Sequence, residues 1–374
     1  MNQPVLHLDR VDKFYGEIDK GVHAVKNINM EVMPGEIIAL LGSSGCGKTS
    51  TLRMVAGFES ASRGRILING REVQTLSPVK RNVAMAFEGY SLYPTVSVRD
   101  NIAFALKSST VDATETGRLV EEMAEMLEIS AILERFPSSI SGGEQQRVSL
   151  ARALIRQADL YLLDEPMGQL EPQLRTLLRS RLKYYIKSRN LTAILVTHDQ
   201  TEANALADRI AVMEDGELQQ YASPDQIKER PANLFTGTFV GEPPMNVFPA
   251  RATVVDGSVQ FELAGGLALR YPEAEFQESV RQQIIELKEV VLGVRPYAVK
   301  RREDGAPAQV MVNQWLGDQT HIAASFADET IVLVEHDRVR LSDGDTIAIH
   351  LEPDDLHVFD PVSGRALSHG RSMA

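Results

Sequence analysis

The residues Gly42-Ser43-Ser44-Gly45-Cys46-Gly47-Lys48-Thr49 match the pattern G-x-x-x-x-G-K-[ST]. Glycines at these positions let the backbone curl until several N–H groups converge on phosphate oxygens. A helix starting behind the loop adds favourable potential for an anion at its N-terminus. Lys48 is then placed to reach the β- and γ-phosphates of ATP, and the Thr49 hydroxyl to bind Mg²⁺. Cys46 reads as a small filler in the loop, the alternative being a reactive thiol activated by the helix N-terminus.

Two further segments carry chemistry. Leu160-Tyr161-Leu162-Leu163-Asp164-Glu165-Pro166 is an apolar strand ending in two carboxylates. Asp164 suits a Mg²⁺ ligand, and Glu165 suits polarising a water beside the γ-phosphate. Alone, such a pair could be the start of a solvated loop; beside a phosphate loop, catalysis is the better reading. Ile194-Leu195-Val196-Thr197-His198-Asp199 repeats the design, and places His198 to hydrogen-bond the γ-phosphate or the attacking water. Ligands of open α/β sheets gather at the carboxyl ends of strands, where all three motifs would meet.

The elements that must position these groups follow from the apolar pattern. Val5 to Val11 alternates like a half-buried strand, and Ile37 to Leu41, Leu160 to Leu163 and Ala193 to Val196 are short apolar runs with polar ends. Their rhythm predicts an α/β fold with a mainly parallel sheet. Residues from about 95 to 158 lack strand texture, and Leu119 to Ile129 has helical spacing, which predicts an inserted helical subdomain. Near Gly241-Glu242-Pro243-Pro244 the pattern shifts to alternating segments separated by turns, predicting a small, barrel-like all-β domain. The expected domains are 1–236 and 237–374.

Composition narrows the class. At 374 residues the chain can hold two domains. A net charge of -12 argues against a nonspecific grip on nucleic acid. The single cysteine permits no internal disulfide and fits a reducing compartment. MNQPVLHLDRV lacks the pattern of a signal peptide. No apolar run approaches the about 18 residues that span a bilayer, so any membrane role is expected to come through a partner.

Ser141-Gly142-Gly143-Glu144-Gln145-Gln146-Arg147, taken with the motifs above, resembles the signature segment of ABC ATPases. The resemblance covers nearly the whole chain. It implies a P-loop cassette with an inserted helical subdomain and a dimer that sandwiches two ATP molecules. Ser141, Gly142, Gly143 and Glu144 would act on the ATP of the opposite subunit. Tyr15 would stack on adenine, and Gly42 to Thr49 with Ser50 would bind ATP. Thr49, Glu88 and Asp164 would serve Mg²⁺, while Glu165, His198 and Lys48 would be catalytic. Tyr90, Leu92, Tyr93 and Pro94 resemble the segment that docks a permease, burial within the cassette being the alternative.

Gly241 to Asn246 and Gly293-Val294-Arg295-Pro296 resemble the linker and OB-like (TOBE/MOP-type) β-domain of ATPases that serve carbohydrate importers, such as the maltose and glycerol-phosphate systems. In that group the β-domain helps hold the dimer and can receive regulators. The implied setting is the cytoplasmic face of the cell membrane, beneath permease subunits fed by a solute-binding protein. The implied cargo is a sugar, a polyol or a glycerol phosphate. Three positions depart from the pattern: Glu88 replaces a glutamine, Glu144 replaces a glutamine, and the subunit-facing Glu171 replaces an aspartate. They suggest as an alternative a catalytically weakened partner of a second, different ATPase. A single phosphate loop without sustained heptads argues against the ABC proteins of DNA repair and translation. The β-domain argues against export.

Overall fold

The computed structural model describes residues 3–107 and 110–370, in two compact units, Met1–Pro224 and Asp225–Ala374. Positions 108 and 109 of the expected helical subdomain, and both chain ends, lie outside the described residues. The first unit opens with the strands β1 (Leu6–Tyr15), β2 (Val22–Val32) and β3 (Ile37–Gly42), then the helix α1 (Lys48–Ala56). β4 (Arg63–Ile68), β5 (Arg71–Glu72) and β6 (Val83–Ala86) follow. After a helical stretch come β7 (Leu160–Asp164), β8 (Ala193–Thr197), β9 (Arg209–Glu214) and β10 (Glu217–Ala222).

Two sheets result. β2-β1-β4-β5 is antiparallel, and β1 mostly alternates buried with half-buried positions, as a strand with one face on the core does. The second sheet has the order β10-β9-β3-β8-β7-β6 and is parallel except for the β9–β10 pair. Its central strands β3, β7 and β8 are buried along their whole length, which is why IIALLG, LYLLD and AILVT read as unbroken apolar runs. One apolar cluster joins both sheets through Leu52, Met54 and Val55 of α1. Leu41 pairs with Thr197, and Asp164 with Val196, so the ends of β3, β7 and β8 lie side by side.

Between β6 and β7 the described residues hold no strand. They form α2 (Val98–Ala103), α3 (Ala113–Met126) and α4 (Gly142–Leu154). Asp112 caps α3 by accepting from the Glu115 N–H, and the helix buries Val120, Met123 and Ala124 along one stripe. α5 (Pro172–Ser188) and α6 (Gln200–Leu206) follow β7 and β8.

The second unit is built on two antiparallel sheets over one apolar core that includes Phe248, Phe261 and Phe326. One sheet contains β11 (Asn246–Val255), β12 (Ser258–Glu262), β13 (Ala268–Pro272) and β14 (Glu289–Val294). The other contains β15 (Lys300–Trp315), β16 (Thr320–Phe326), β17 (Glu329–Glu335) and β18 (Thr346–His350). β19 (Leu356–Phe359) and β20 (Ala366–His369) complete the first.

The helices α7 (Pro224–Glu229) and α8 (Leu234–Phe239) precede the strands; within the region where the sequence pattern predicts strands alone, the structure adds a helix, α9 (Glu278–Leu287), which buries Ile284. The units divide at 224/225 rather than 236/237 because α8 and the end of α7 are tied to the β-domain. Buried Arg295 donates to the carbonyls of Lys228 (2.9 Å), Gly237 (2.8 Å) and Val240. The Leu234 N–H donates to the Gly364 carbonyl at 2.7 Å.

Candidate active site

The loop after β3 is shaped by two kinds of glycine. Gly47, the N-cap of α1, has φ +100°, and a Cβ there would stand 2.5 Å from the Ala24 carbonyl oxygen, so backbone and space both demand glycine. Gly45 has φ +82° with open space where its Cβ would be, and Ser43, Ser44 and Gly45 are exposed. Lys48 Nζ is nearly buried and donates to the carbonyls of Gly42 (2.8 Å) and Ser43 (2.7 Å), lying across the loop. The Cys46 side chain is part of the apolar core, as a filler would be, leaving its backbone to shape the loop. Tyr15, 40% exposed at the end of β1, shares a 3.0 Å hydrogen bond with the Ser50 hydroxyl, which sets an aromatic ring beside the first turn of α1.

At the end of β7, Asp164 is buried and accepts a long 3.4 Å bond from the Thr49 hydroxyl. Burial, then the nearby charges of Glu88 and Glu165, push its carboxyl up to about 6. This pairing of carboxylate and hydroxyl oxygens, with the charges of Glu88 and Glu165 nearby, fits a hard divalent cation. Glu165 has a left-handed backbone, φ +48°, and its N–H donates to the Val196 carbonyl. Its carboxylate shares a 3.0 Å hydrogen bond with His198 Nδ1 from the neighbouring strand end. The turn bearing His198 is braced from beneath. The Thr197 hydroxyl accepts from the Asp199 N–H and donates to Glu202, a carboxyl that burial pushes up to about 7. Arg175 of α5 links Asp199 to the Leu170 carbonyl.

Ser141 is the N-cap of α4 in a full capping box. Its N–H and hydroxyl donate to the Glu144 carboxylate at 2.7 and 2.8 Å, and its oxygen accepts from the Glu144 N–H. The Ser141 N–H bond, with that of the hydroxyl, holds the Glu144 carboxyl below its usual range. Gly142 and Gly143 pack against Gln169 of the same chain; a Cβ on Gly143 would sit 3.1 Å from the Gln169 carbonyl oxygen. Glu171 is exposed at the N-cap of α5 and makes no side-chain capping bond.

Of the segment after β6, Tyr93 and Pro94 are exposed and Leu92 is half-buried. The Tyr90 hydroxyl is enclosed and without a partner. Tyr93 packs on Phe104, their ring centroids 4.6 Å apart, and Phe104 is itself exposed. Sequence reasoning missed Phe104, Gln146, Arg152 and Gln169. Gln146 stood inside a quoted motif, but its reach to another strand's end is a tertiary fact with no signal in the linear spacing.

A phosphate loop, an acidic strand end and a histidine-bearing strand end on adjacent parallel strands, beside a capped glycine helix tip, define a nucleoside triphosphatase of the ABC class. The ABC transporter family model matches residues 25–168, and the TOBE domain model matches residues 292–359. The chain belongs to the ATP-binding proteins of ABC transporters, ATPases that dimerise and act with membrane permeases. It is 36% identical to the sulfoquinovosyl glycerol transport ATP-binding protein of Agrobacterium fabrum, over 96% of this chain and 98% of that one. It is 38% identical to the trehalose/maltose import ATP-binding protein of Thermococcus litoralis, over 95% and 97%. With the sn-glycerol-3-phosphate import ATP-binding protein of Cereibacter sphaeroides the identity is 37%, over 93% and 96%. Among solved structures, a dimeric bacterial ABC transporter cassette is 26% identical, covering 59% of this chain and 98% of its own with a TM-score of 0.55. No helix among the described residues is long and apolar enough to cross a membrane.

Proposed function

We propose that this chain binds Mg²⁺–ATP on the Gly42–Thr49 loop and hydrolyses it to drive import of a sugar, a polyol or a glycerol phosphate. The observation that carries the reading is the pairing of Glu165 with His198 beside the loop, on strand ends held in register. Tyr15 stacks on adenine, Gly42 to Ser50 hold the phosphates, and Lys48 neutralises charge on the β- and γ-phosphates. Mg²⁺, held by Thr49 and Asp164 with Glu88, would supply charge neutralisation at the phosphates. Glu165 orients and polarises the attacking water, and His198 hydrogen-bonds the γ-phosphate or that water. Ser141 and the Gly142–Glu144 tip face the ATP of a second ATPase subunit, where Ser141 and the Gly142 and Gly143 N–H groups supply donors. Glu171 faces the same interface.

Pairing of two cassettes encloses two ATP molecules. The accompanying movement of α2 to α4 is passed to the permease through Tyr90, Leu92, Tyr93 and Pro94, at the cytoplasmic face of the membrane. The cargo class rests on the names of the relatives, which bear on sugars, sugar glycerols and glycerol phosphate. A solute-binding protein would deliver it.

Glu88, Glu144 and Glu171 favour a second reading, in which this chain is the weaker half of an asymmetric pair with a different ATPase. Glu88 cannot donate the hydrogen bond of a glutamine amide. The two readings separate in a native complex purified through this chain: two copies of it alone support the first, a distinct second ATPase the other. For the site itself, Glu165→Gln is expected to lower kcat by about a hundredfold or more while ATP affinity stays within about twofold. Turnover at the wild-type rate would remove Glu165 from the reaction.

A further inference from the structure

Three residues that are not glycine take left-handed backbones at the two ends of the proposed machinery. Tyr90 and Ser91, in the permease-docking segment, have φ of +58° and +46°, and Glu165 has φ +48°. Such a backbone is strained for a residue with a side chain and persists only where its surroundings hold it. All three have carbonyls that accept a hydrogen bond from one helix, α4. Gln146 Nε2 donates to the Glu165 carbonyl at 2.6 Å, while Gln146 Oε1 accepts from the Gln169 N–H at 3.0 Å. About two turns further on, Arg152 donates to the Tyr90 carbonyl (3.0 Å) and the Ser91 carbonyl (2.9 Å), its guanidinium also facing the Tyr93 ring.

Neither side chain is an ordinary surface group. Gln146 is 4% exposed, and both of its amide ends are used on the Glu165–Gln169 turn. A buried amide with both ends committed has one orientation, so it dictates where that turn lies. The Gly142–Gly143 tip closes the same contact, since a Cβ on Gly143 would press on the Gln169 carbonyl. α4 therefore grips the catalytic turn at its N-terminal end and the docking turn further along.

We infer that Gln146 and Arg152 are positioning residues that make α4 the rigid link between the docking segment and the catalytic carboxylate. Gln146 fixes the backbone of Glu165, and Arg152 fixes Tyr90–Ser91; displacement of one turn displaces the other. The inference rests on Glu165 being the catalytic carboxylate.

The test uses the full-length chain with Gln146→Met and Arg152→Met variants, a fluorescent ATP analogue, steady-state hydrolysis and backbone hydrogen exchange. Gln146→Met keeps the shape of the side chain and removes both hydrogen bonds. It is expected to leave analogue affinity within about twofold, to lower kcat by about tenfold or more, and to speed exchange of the Gln169 amide. In the wild type, nucleotide should change exchange across 88–94; in Arg152→Met that response should vanish while affinity is kept. Wild-type kcat in Gln146→Met overturns the inference, as does a nucleotide response at 88–94 that survives Arg152→Met or is missing from the wild type. Joint loss of affinity, turnover and thermal stability in Gln146→Met also overturns it, because that would mark a structural role. Full activity of Glu165→Gln would instead overturn the catalytic assignment beneath it.

Discussion

At Glu88, a single functional group separates this chain from the pattern it resembles. Its carboxylate adds negative charge beside Asp164, which burial already makes reluctant to ionise. It also lacks the N–H donor that an amide would offer to the water or the phosphate. Glu88→Gln restores the donor and removes the charge. We expect it to raise kcat by about threefold or more with nucleotide affinity within about twofold, measured in the assembled transporter. Unchanged hydrolysis there would take Glu88 out of the mechanism. Glu144 is a different case. Its carboxylate is spent on the Ser141 N–H and hydroxyl, so its charge serves the helix cap of its own chain.

The helices α7 and α8 depend on a buried cation. Arg295 is 3% exposed, and its guanidinium donates to the carbonyls of Lys228, Gly237 and Val240. Burial accordingly lowers its pKa. Replacing it leaves those carbonyls without donors in a dry setting, which is costlier than the mean worth of the bonds themselves. Arg295→Met is expected to destabilise the second unit by about 3 kcal/mol, read as a fall in its calorimetric transition temperature. ATP binding by the first unit, measured by analogue fluorescence, should persist. An unshifted transition would show that packing alone retains α7 and α8.

Over the molecule as a whole, acid should act unevenly. His357 on β19 and His369 on β20 share a 2.9 Å Nδ1–Nδ1 hydrogen bond, in which the accepting ring must keep its Nδ1 unprotonated, so the bond is lost once both rings are charged. Burial pushes His357 down to about 3 and His369 down to about 4. The unfolded chain binds these protons near pH 6.5 and the folded unit does not. Their contribution is therefore complete above that pH and is lost as pH falls toward 4. The second unit should lose thermal stability across this range, and a His357→Leu/His369→Leu double variant should show a flatter pH dependence. An equally steep profile in the variant would assign the acid sensitivity elsewhere.

By itself, the sequence determined the class of this protein. The phosphate loop, the two polar strand ends and the signature segment are local: each is a contiguous run whose chemistry follows from residue type and spacing. The parallel sheet was legible because fully buried strands must be apolar throughout, as IIALLG, LYLLD and AILVT are. Tertiary structure alone decided what joins these parts. Gln146 reaching Glu165, Arg152 reaching Tyr90, Arg295 drawing α7 and α8 to the β-domain, and His357 facing His369 all link residues far apart in the chain. Most of these bonds end on backbone carbonyls, which every residue carries. The linear pattern therefore contains no mark of which carbonyl a buried side chain will find.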